Sequence, residues 1–129
     1  MIKLISKLFV SILVLLSLSC SQQANISEKI KWKDYDIFFE TRPPEMKPGM
    51  MEFLVVINEK SKRPASSFLV SLRIGETGKW SQAIQDGLTG VYRRAINVRN
   101  PDKDVLFVHL KGKEDETVIS FPLNKQITK

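Results

Sequence analysis

The sequence is poor in the side chains that most enzymes use, since it contains one cysteine, Cys20, and one histidine, His109. A lone cysteine excludes an intramolecular disulfide, and His109 is the only imidazole that can act as a base. The chain also lacks the Gly-x-Ser-x-Gly motif of serine hydrolases. Gly87-x-x-Gly90 lacks the lysine and the hydroxyl residue of a phosphate-binding loop, so it indicates a tight turn. These absences predict that the protein is not an enzyme and that it holds no cofactor, with copper as the alternative.

The sequence also lacks an apolar run long enough to span a bilayer, which takes roughly 20 residues in a helix. The run from Leu8 to Leu18 is shorter, contains two serines and follows a basic start with two lysines. Small Ser19 directly precedes Cys20, which completes the layout of an export signal. The stretch resembles the signal II peptide of bacterial lipoproteins, which implies removal of residues 1–19 and lipid attachment to Cys20. The alternative is an ordinary cleaved signal with a spare cysteine.

Charge and cellular address together predict the partners. Without the signal peptide, 18 basic and 14 acidic residues remain, and the net charge of +4 is spread along the chain. The predicted address lies outside the cytoplasm, and the sequence has no stripe of arginines and aromatic residues. Nucleic acid is therefore excluded as a partner. The polar segment 20–29 is predicted to be a short tether to the cell membrane or the outer membrane, with the domain facing the periplasm or the exterior. Ser21 is not Asp, which favours the outer membrane under the lipoprotein sorting rule of Gram-negative bacteria.

The rest of the chain has the apolar–polar alternation that is typical of half-buried β-strands. Proline, glycine and Asn-Pro-Asp signals separate the runs at intervals of about 8–14 residues. No stretch shows helical apolar spacing over three turns. The pattern predicts an all-β, antiparallel sandwich of about seven strands. The predicted strand regions are 35–40, 51–58, 67–74, 80–84, 91–98, 105–111 and 117–123.

Gly90-Val91-Tyr92 follows the turn at Asp86-Gly87. It resembles a tyrosine corner, in which a tyrosine near the start of a strand bonds back to upstream backbone. This motif and the strand spacing predict an immunoglobulin-like β-sandwich for the domain 30–129.

A proline loop ending in Pro48-Gly49, two alternating strands around a charged turn, and Gly90-x-Tyr92 together look like the YtkA-like domain, which is related to the periplasmic part of FixH-type proteins. The resemblance covers roughly residues 33–123. It implies a small immunoglobulin-like sandwich outside the bacterial cytoplasm. Some family members are linked to copper handling or to assembly of haem-copper oxidases. The chain departs from the family in lacking methionine or histidine pairs between residues 73 and 86, and in having Val105-Leu106-Phe107 where a tryptophan is often found.

Copper is the one metal for which the sequence offers a candidate site. Met46, Met50 and Met51 lie close together around the proline loop, and thioethers are soft ligands that favour Cu(I). His109 would complete the site if the fold brought its strand near that loop. The alternative is packing, because Met51 has the alternation of a core residue and methionine commonly fills irregular gaps.

Two pairs of carboxylates, Asp34 with Asp36 and Asp102 with Asp104, have a spacing of two residues. That spacing puts each pair on one face of a strand. Acid–base chemistry would require environments that drive the two pKa values of a pair apart. The second pair lacks the spacing and the closing glutamate of an EF-hand. Turn formation is the favoured interpretation.

Arg93 and Arg94 point to opposite faces of one strand. Arg94 shares the parity of Tyr92, so it is predicted either to pair with a carboxylate at the rim or to pack its stem while the head reaches water. The alternative is a surface for an anionic ligand or partner, formed with Arg99.

Together these observations favour a membrane-anchored, non-catalytic binding or accessory lipoprotein of the bacterial cell envelope. Its N-terminal lipid would anchor the protein in the membrane, and an envelope or membrane protein would dock at exposed strand edges. The alternative function is copper binding or copper delivery for haem-copper oxidase assembly. In that case the ligands would be Met46, Met50, Met51 and His109.

Overall fold

The computed structural model describes residues 25–128, which form eleven strands and no helix. In chain order these are β1 (Asn25–Ser27), β2 (Ile30–Trp32), β3 (Tyr35–Arg42), β4 (Gly49–Glu59), β5 (Leu69–Ile74), β6 (Ser81–Gln82), β7 (Ile84–Gln85), β8 (Val91–Val98), β9 (Val105–Lys111), β10 (Glu116–Pro122) and β11 (Gln126–Thr128). Within this range, no helix is long and apolar enough to cross a membrane.

The strands of the described range form two antiparallel sheets. The larger sheet has the order β11-β1-β3-β4-β8-β7, with β2 also paired to β3, and the smaller sheet has the order β10-β9-β5-β6. Neighbours in sequence pair in β3–β4 and β9–β10, whereas β4–β8 and β5–β9 pair across long connections. The prediction of an all-β antiparallel fold is confirmed.

The two sheets pack face to face as a β-sandwich, because alternate side chains of each strand point into the space between them. The inward-facing residues of β4 are each at most 2% exposed: Met51, Phe53, Val55 and Ile57. The ring of Phe39 in the larger sheet meets the ring of Phe121 in the smaller sheet edge to face, with centroids 5.2 Å apart. The alternation predicted for these strands therefore marks the core.

The larger sheet begins earlier than the sequence pattern predicts. β1 pairs with β11 at Ile26 and Ile127 and with β3 at Ile26 and Glu40. It thus lies inside the segment 20–29 that was predicted to be a tether. A strand of three residues carries too little alternation to be recognised, and its partner β11 comes from the other end of the chain. At most residues 21–24 separate Cys20 from the sheet.

The end of the sandwich that contains Asn25, called the Asn25 end below, also contains three loops. β1 is antiparallel to β3, so its first residue lies beside the last residues of β3. Gly49 of β4 lies opposite Val98 of β8, and the Gly75 amide donates to the Val105 carbonyl oxygen at 3.0 Å. These pairings bring together the loops 43–48, 75–79 and 99–104.

The opposite end is closed by contacts between turns of the two sheets. Lys33 forms an ion pair with Asp115, which joins the turn after β2 to the β9–β10 turn. The Lys60 amide donates to the Asp34 carbonyl oxygen at 2.7 Å, which adds the turn after β4. The two ends are therefore built from separate sets of loops.

Tyr92 connects β8 to the segment between β4 and β5. It is 1% exposed, and its hydroxyl donates to the Ala65 carbonyl oxygen at 2.9 Å and accepts from the Phe68 amide at 3.3 Å. The predicted bond from this tyrosine to upstream backbone is confirmed. Its partners follow β4 and do not lie in the turn that leads into β8. The immunoglobulin-like assignment stays a prediction.

Candidate functional site

The predicted lipid attachment site lies outside the described residues. Cys20 precedes Asn25, where the described range begins. Lipid attachment therefore stays a prediction. The other predicted site residues lie in the domain.

The three methionines and the histidine of the predicted copper site do not come together. Met51 is 2% exposed in the core, whereas its neighbour Met50 is 65% exposed on the outer face of the larger sheet. Met46 packs partly buried against the core from loop 43–48. His109 lies between two fully buried residues of β9 and so points outward from the smaller sheet. Because the two outer faces lie on opposite sides of the sandwich, one ion cannot contact both Met50 and His109.

The Asp104 carboxylate serves a turn, as predicted, whereas Asp36 of the other pair lies within β3. Oδ2 of Asp104 accepts from the amides of Arg99 and Asn100 at 2.9 Å each. The Asp102 amide donates to Oδ1 of Asn100 at 3.1 Å. Between residues 25 and 128, no three His, Cys, Asp or Glu side chains are grouped closely enough to hold a metal ion.

The arginines of β8 do not share a surface with Arg99. Arg94 is exposed on the strand face that it shares with buried Tyr92, which fits a stem that packs while its head reaches water. Arg93 and Arg94 line a groove of about 380 Å³ on the larger sheet. Arg99 lines a different groove, at the Asn25 end.

His109 has the neighbours of a catalytic triad but not its geometry. Ser71 lies opposite His109 across the β5–β9 pair, and Nε2 of His109 is 2.5 Å from Oε1 of Glu116. In a triad the imidazole acts as the base through a hydrogen bond to the serine hydroxyl. Within the described range, the side-chain hydrogen bond of His109 is to Glu116 and not to Ser71. The three residues form a polar row across an outer sheet face.

The most distinctive cluster on the surface is a stacked arginine on the outer face of the smaller sheet. The guanidinium carbon of Arg73 lies 4.3 Å from the ring centroid of Trp80 and 5.1 Å from that of Phe107. Such cation–π contacts stabilise a charged group against the faces of aromatic rings. Nε of Arg73 is buried and has no hydrogen-bond partner among the described residues. Stacking therefore holds this side chain in place.

Sheet pairing explains how the three residues meet. Arg73 of β5 lies directly opposite Phe107 of β9, so both side chains point to the same outer face. β6 pairs with β5 through Ser81 and Leu72. Trp80 directly precedes Ser81, and antiparallel pairing brings it beside Arg73.

Half-buried His109 and two exposed apolar residues extend this cluster into a face. The ring centroid of His109 lies 5.7 Å from that of Trp80. Leu69 and Val118 are 57% and 51% exposed, although both are apolar and both lie on the outward side of their strands. We call this surface the Arg73 face; its members are Leu69, Arg73, Trp80, Phe107, His109 and Val118.

Sequence reasoning recognised single parts of this face but not the face itself. Arg73 lies at an outward position of the predicted strand 67–74, and Phe107 belongs to the segment 105–107, where YtkA-like domains often have a tryptophan. The position of each residue in the alternation of its strand would have predicted that both side chains point outward. Their contact depends on the pairing of β5 with β9, which are separated by three strands in sequence. No local pattern specifies that pairing.

The Arg73 face stands on its own geometry as the candidate site, and the resemblance to the YtkA-like domain stays a prediction. Comparison of the chain with protein-family models, with curated proteins and with solved structures finds no match.

Proposed function

We propose that the protein is a non-catalytic binding module of the bacterial cell envelope, anchored to a membrane by lipid on Cys20. In this proposal it docks an envelope or membrane protein on the Arg73 face. The observation that carries the proposal is the Arg73 guanidinium, stacked between Trp80 and Phe107 on an open sheet face.

The stacked guanidinium is suited to a carboxylate of the partner. Arginine presents its donors in a planar fork that matches a carboxylate, and the guanidinium carbon of Arg73 already lies over two rings, 4.3 Å and 5.1 Å from their centroids. Within the described range, the ion pairs of the domain do not include Arg73. A partner carboxylate would therefore find a preorganised donor.

The composition of the face also supports protein docking. Tryptophan and arginine are enriched among the residues that carry most of the binding energy at protein interfaces. Exposed Leu69 and Val118 add apolar surface to the same outer face. Lys111 lies opposite Leu69 and adds a positive charge beside the face, and Glu116, opposite Lys111, is the nearby acid. This balance favours an acidic partner surface.

Lipid attachment explains how such a small face can suffice. A lipid on Cys20 would confine the domain to the membrane surface and raise its effective concentration near membrane partners. A weak interface then gives substantial occupancy.

The finer family assignment, an immunoglobulin-like sandwich of the YtkA-like type, is part of this proposal and is supported by the hydrogen bonds of Tyr92 to upstream backbone.

Site-specific photocrosslinking in living cells tests the docking face. A photoreactive amino acid at Ser120, which lies opposite Phe107 on the exposed outer side of β10, is expected to trap one envelope or membrane protein. Arg73→Glu should abolish this adduct by placing like charge against the partner's carboxylate. Arg94→Glu, the same change at an exposed arginine of the larger sheet, should preserve it. An adduct that survives Arg73→Glu contradicts the proposed face.

Metabolic labelling with a fatty-acid analogue tests the anchor separately. The wild-type protein should incorporate the label and remain in the membrane fraction, whereas Cys20→Ala should do neither. An unlabelled wild-type protein in the soluble envelope fraction would rule out the lipid anchor without bearing on the Arg73 face.

A further inference from the structure

We propose that the Asn25 end of the sandwich rests on the membrane and that the groove between Lys79 and Arg99 binds the phosphate group of an anionic phospholipid. This inference rests on the proposed lipid attachment at Cys20. It assigns a second binding site to the domain, separate from the Arg73 face.

The short connection to the anchor determines which end lies near the bilayer. Residues 21–24 separate Cys20 from Asn25, and five Cα–Cα steps span at most about 18 Å. β3 runs from Arg42 near the Asn25 end to Tyr35 near the opposite end, which at about 3.3 Å per residue is roughly 23 Å. The Asn25 end is therefore held within reach of lipid headgroups, and the opposite end lies farther away.

The groove at this end has room for a phosphate group and a polar lining. It encloses about 390 Å³ between the loop 75–79 and the last residues of β8. Its polar lining comprises Thr77, Lys79, Asn97, Arg99 and Asp104. The hydroxyl, amide and cationic groups of this set can all donate hydrogen bonds to phosphate oxygens.

The charges of the groove favour an anion. Lys79 and Arg99 are both exposed and do not take part in the ion pairs of the described residues. Asp104 is the one carboxylate of the lining, and its Oδ2 already accepts the amides of Arg99 and Asn100. The two cations are therefore free to bind an external phosphate. Basic residues close to a bilayer are attracted to its anionic headgroups.

The neighbouring loop 43–48 does not compete for the two cations. Its acid Glu45 forms an ion pair with Lys47 of the same loop at 3.3 Å. Because the short connection presents this end to the bilayer, phospholipid is the source of phosphate that the groove meets first.

Fluorescence quenching in reconstituted vesicles tests the inference on the mature lipoprotein. In this protein the thiol of Cys20 carries lipid, so a cysteine introduced at exposed Asn124 or Ser61 takes a single dye. Asn124 lies at the Asn25 end and Ser61 at the opposite end. Vesicles contain a headgroup-labelled quencher in phosphatidylcholine, with or without phosphatidylglycerol.

We expect stronger quenching at Asn124→Cys than at Ser61→Cys, and an increase at Asn124→Cys when phosphatidylglycerol is present. Lys79→Glu with Arg99→Glu should abolish that increase. Lys60→Glu with Arg63→Glu makes the same charge change at exposed residues of the opposite end and should leave it intact. An anchored protein with equal quenching at both dyes, or an increase that survives Lys79→Glu with Arg99→Glu, overturns the inference. A protein that carries no acyl chain and stays off the vesicles instead refutes the proposed anchor.

Discussion

At the scale of single residues, the Tyr92 hydroxyl has the best-defined role. It is buried, and it satisfies one carbonyl oxygen and one amide of the segment between β4 and β5. Buried backbone groups that lose their partner cost free energy because water cannot replace it. Tyr92 therefore fixes the path of a loop that has no strand partner of its own over most of its length.

We expect Tyr92→Phe to lower the free energy of unfolding by about 1–3 kcal/mol, because the Ala65 carbonyl and the Phe68 amide lose their hydroxyl partner. Urea denaturation of the two proteins measures the difference through a shift of the midpoint. Tyr35→Phe, which removes a hydroxyl from a half-buried tyrosine of the same domain, is the matched control. A loss no larger than that of the control would contradict the role of the Tyr92 hydroxyl.

The same residue predicts a dependence on alkaline pH. Burial raises the pKa of Tyr92 above its ordinary value of 10.0, and the hydrogen bond from the Phe68 amide partly opposes that rise. As the pH rises through 10.0, the unfolded chain loses this proton before the folded chain does. The stabilisation is therefore complete below that pH and is lost as the pH passes through the higher pKa of the folded state.

We accordingly expect the stability advantage of the wild type over Tyr92→Phe to be constant below pH 10.0 and to shrink above it. Denaturant unfolding of both proteins across this pH range measures the advantage, and the subtraction removes the titration of lysines common to both. An advantage that grows with alkaline pH would show that the sign is reversed.

At the scale of elements, the turn between β7 and β8 positions Tyr92 by joining β8 to β4. Gly87 and Gly90 both have positive φ, 58° and 73°. The Gly90 carbonyl oxygen accepts the Ile57 amide at 2.9 Å, which brings the turn against β4. A Cβ at Gly90 would lie 2.7 Å from the Ile57 carbonyl oxygen, whereas a Cβ at Gly87 would meet open space.

This contrast gives a matched pair of alanine substitutions. Gly87→Ala should cost about 1–2 kcal/mol of unfolding free energy, the strain of a left-handed backbone with a Cβ. Gly90→Ala should cost about 1–3 kcal/mol more, because the backbone of β4 must also move away. Denaturant unfolding measures both variants. Equal losses would show that the approach of the turn to β4 is not close enough to matter.

At the scale of the whole molecule, the sandwich separates residues that are neighbours in sequence. Met50 and Met51 share a strand but face opposite sides of the larger sheet, and His109 lies on the outer face of the smaller sheet. The Arg73 face and the Lys79 groove, in contrast, unite residues from distant strands. The overall arrangement thus keeps Met50, Met51 and His109 apart and does not assemble the predicted copper ligands.

We therefore expect no tight one-to-one Cu(I) site that depends on the methionines. A competition titration of the mature protein against a Cu(I) chelator should give the same weak curve for the wild type and for Met46→Leu with Met50→Leu. This pair leaves the buried Met51 in place, and leucine is close to methionine in volume, so the partly buried position of Met46 stays filled. Tight binding that disappears in the double variant would contradict the placement of these side chains and restore the copper-delivery hypothesis.

Local patterns predicted the strand faces well. Met51, Phe53, Val55 and Ile57 occupy one side of β4, with Glu52 and Asn58 on the other, and a strand turns alternate side chains to opposite faces wherever it lies in a sheet. The class of fold, most strand positions and the buried side of β4 follow from that period of two. The turn at Asp102–Asp104 was likewise predictable, because its hydrogen bonds join residues within five positions of one another.

Contacts between segments that are distant in sequence could not be predicted from local patterns. Parity places Arg73 and Phe107 outward, yet only the pairing of β5 with β9 makes them neighbours. β1 is a strand because β3 and β11 offer their edges to it, and its three residues alone indicate none. Alternation is a property of each strand's own backbone, whereas the order of strands in a sheet depends on the packing of the whole chain. The sequence thus determined which residues face inward, and the tertiary structure alone decided which outward residues share a surface.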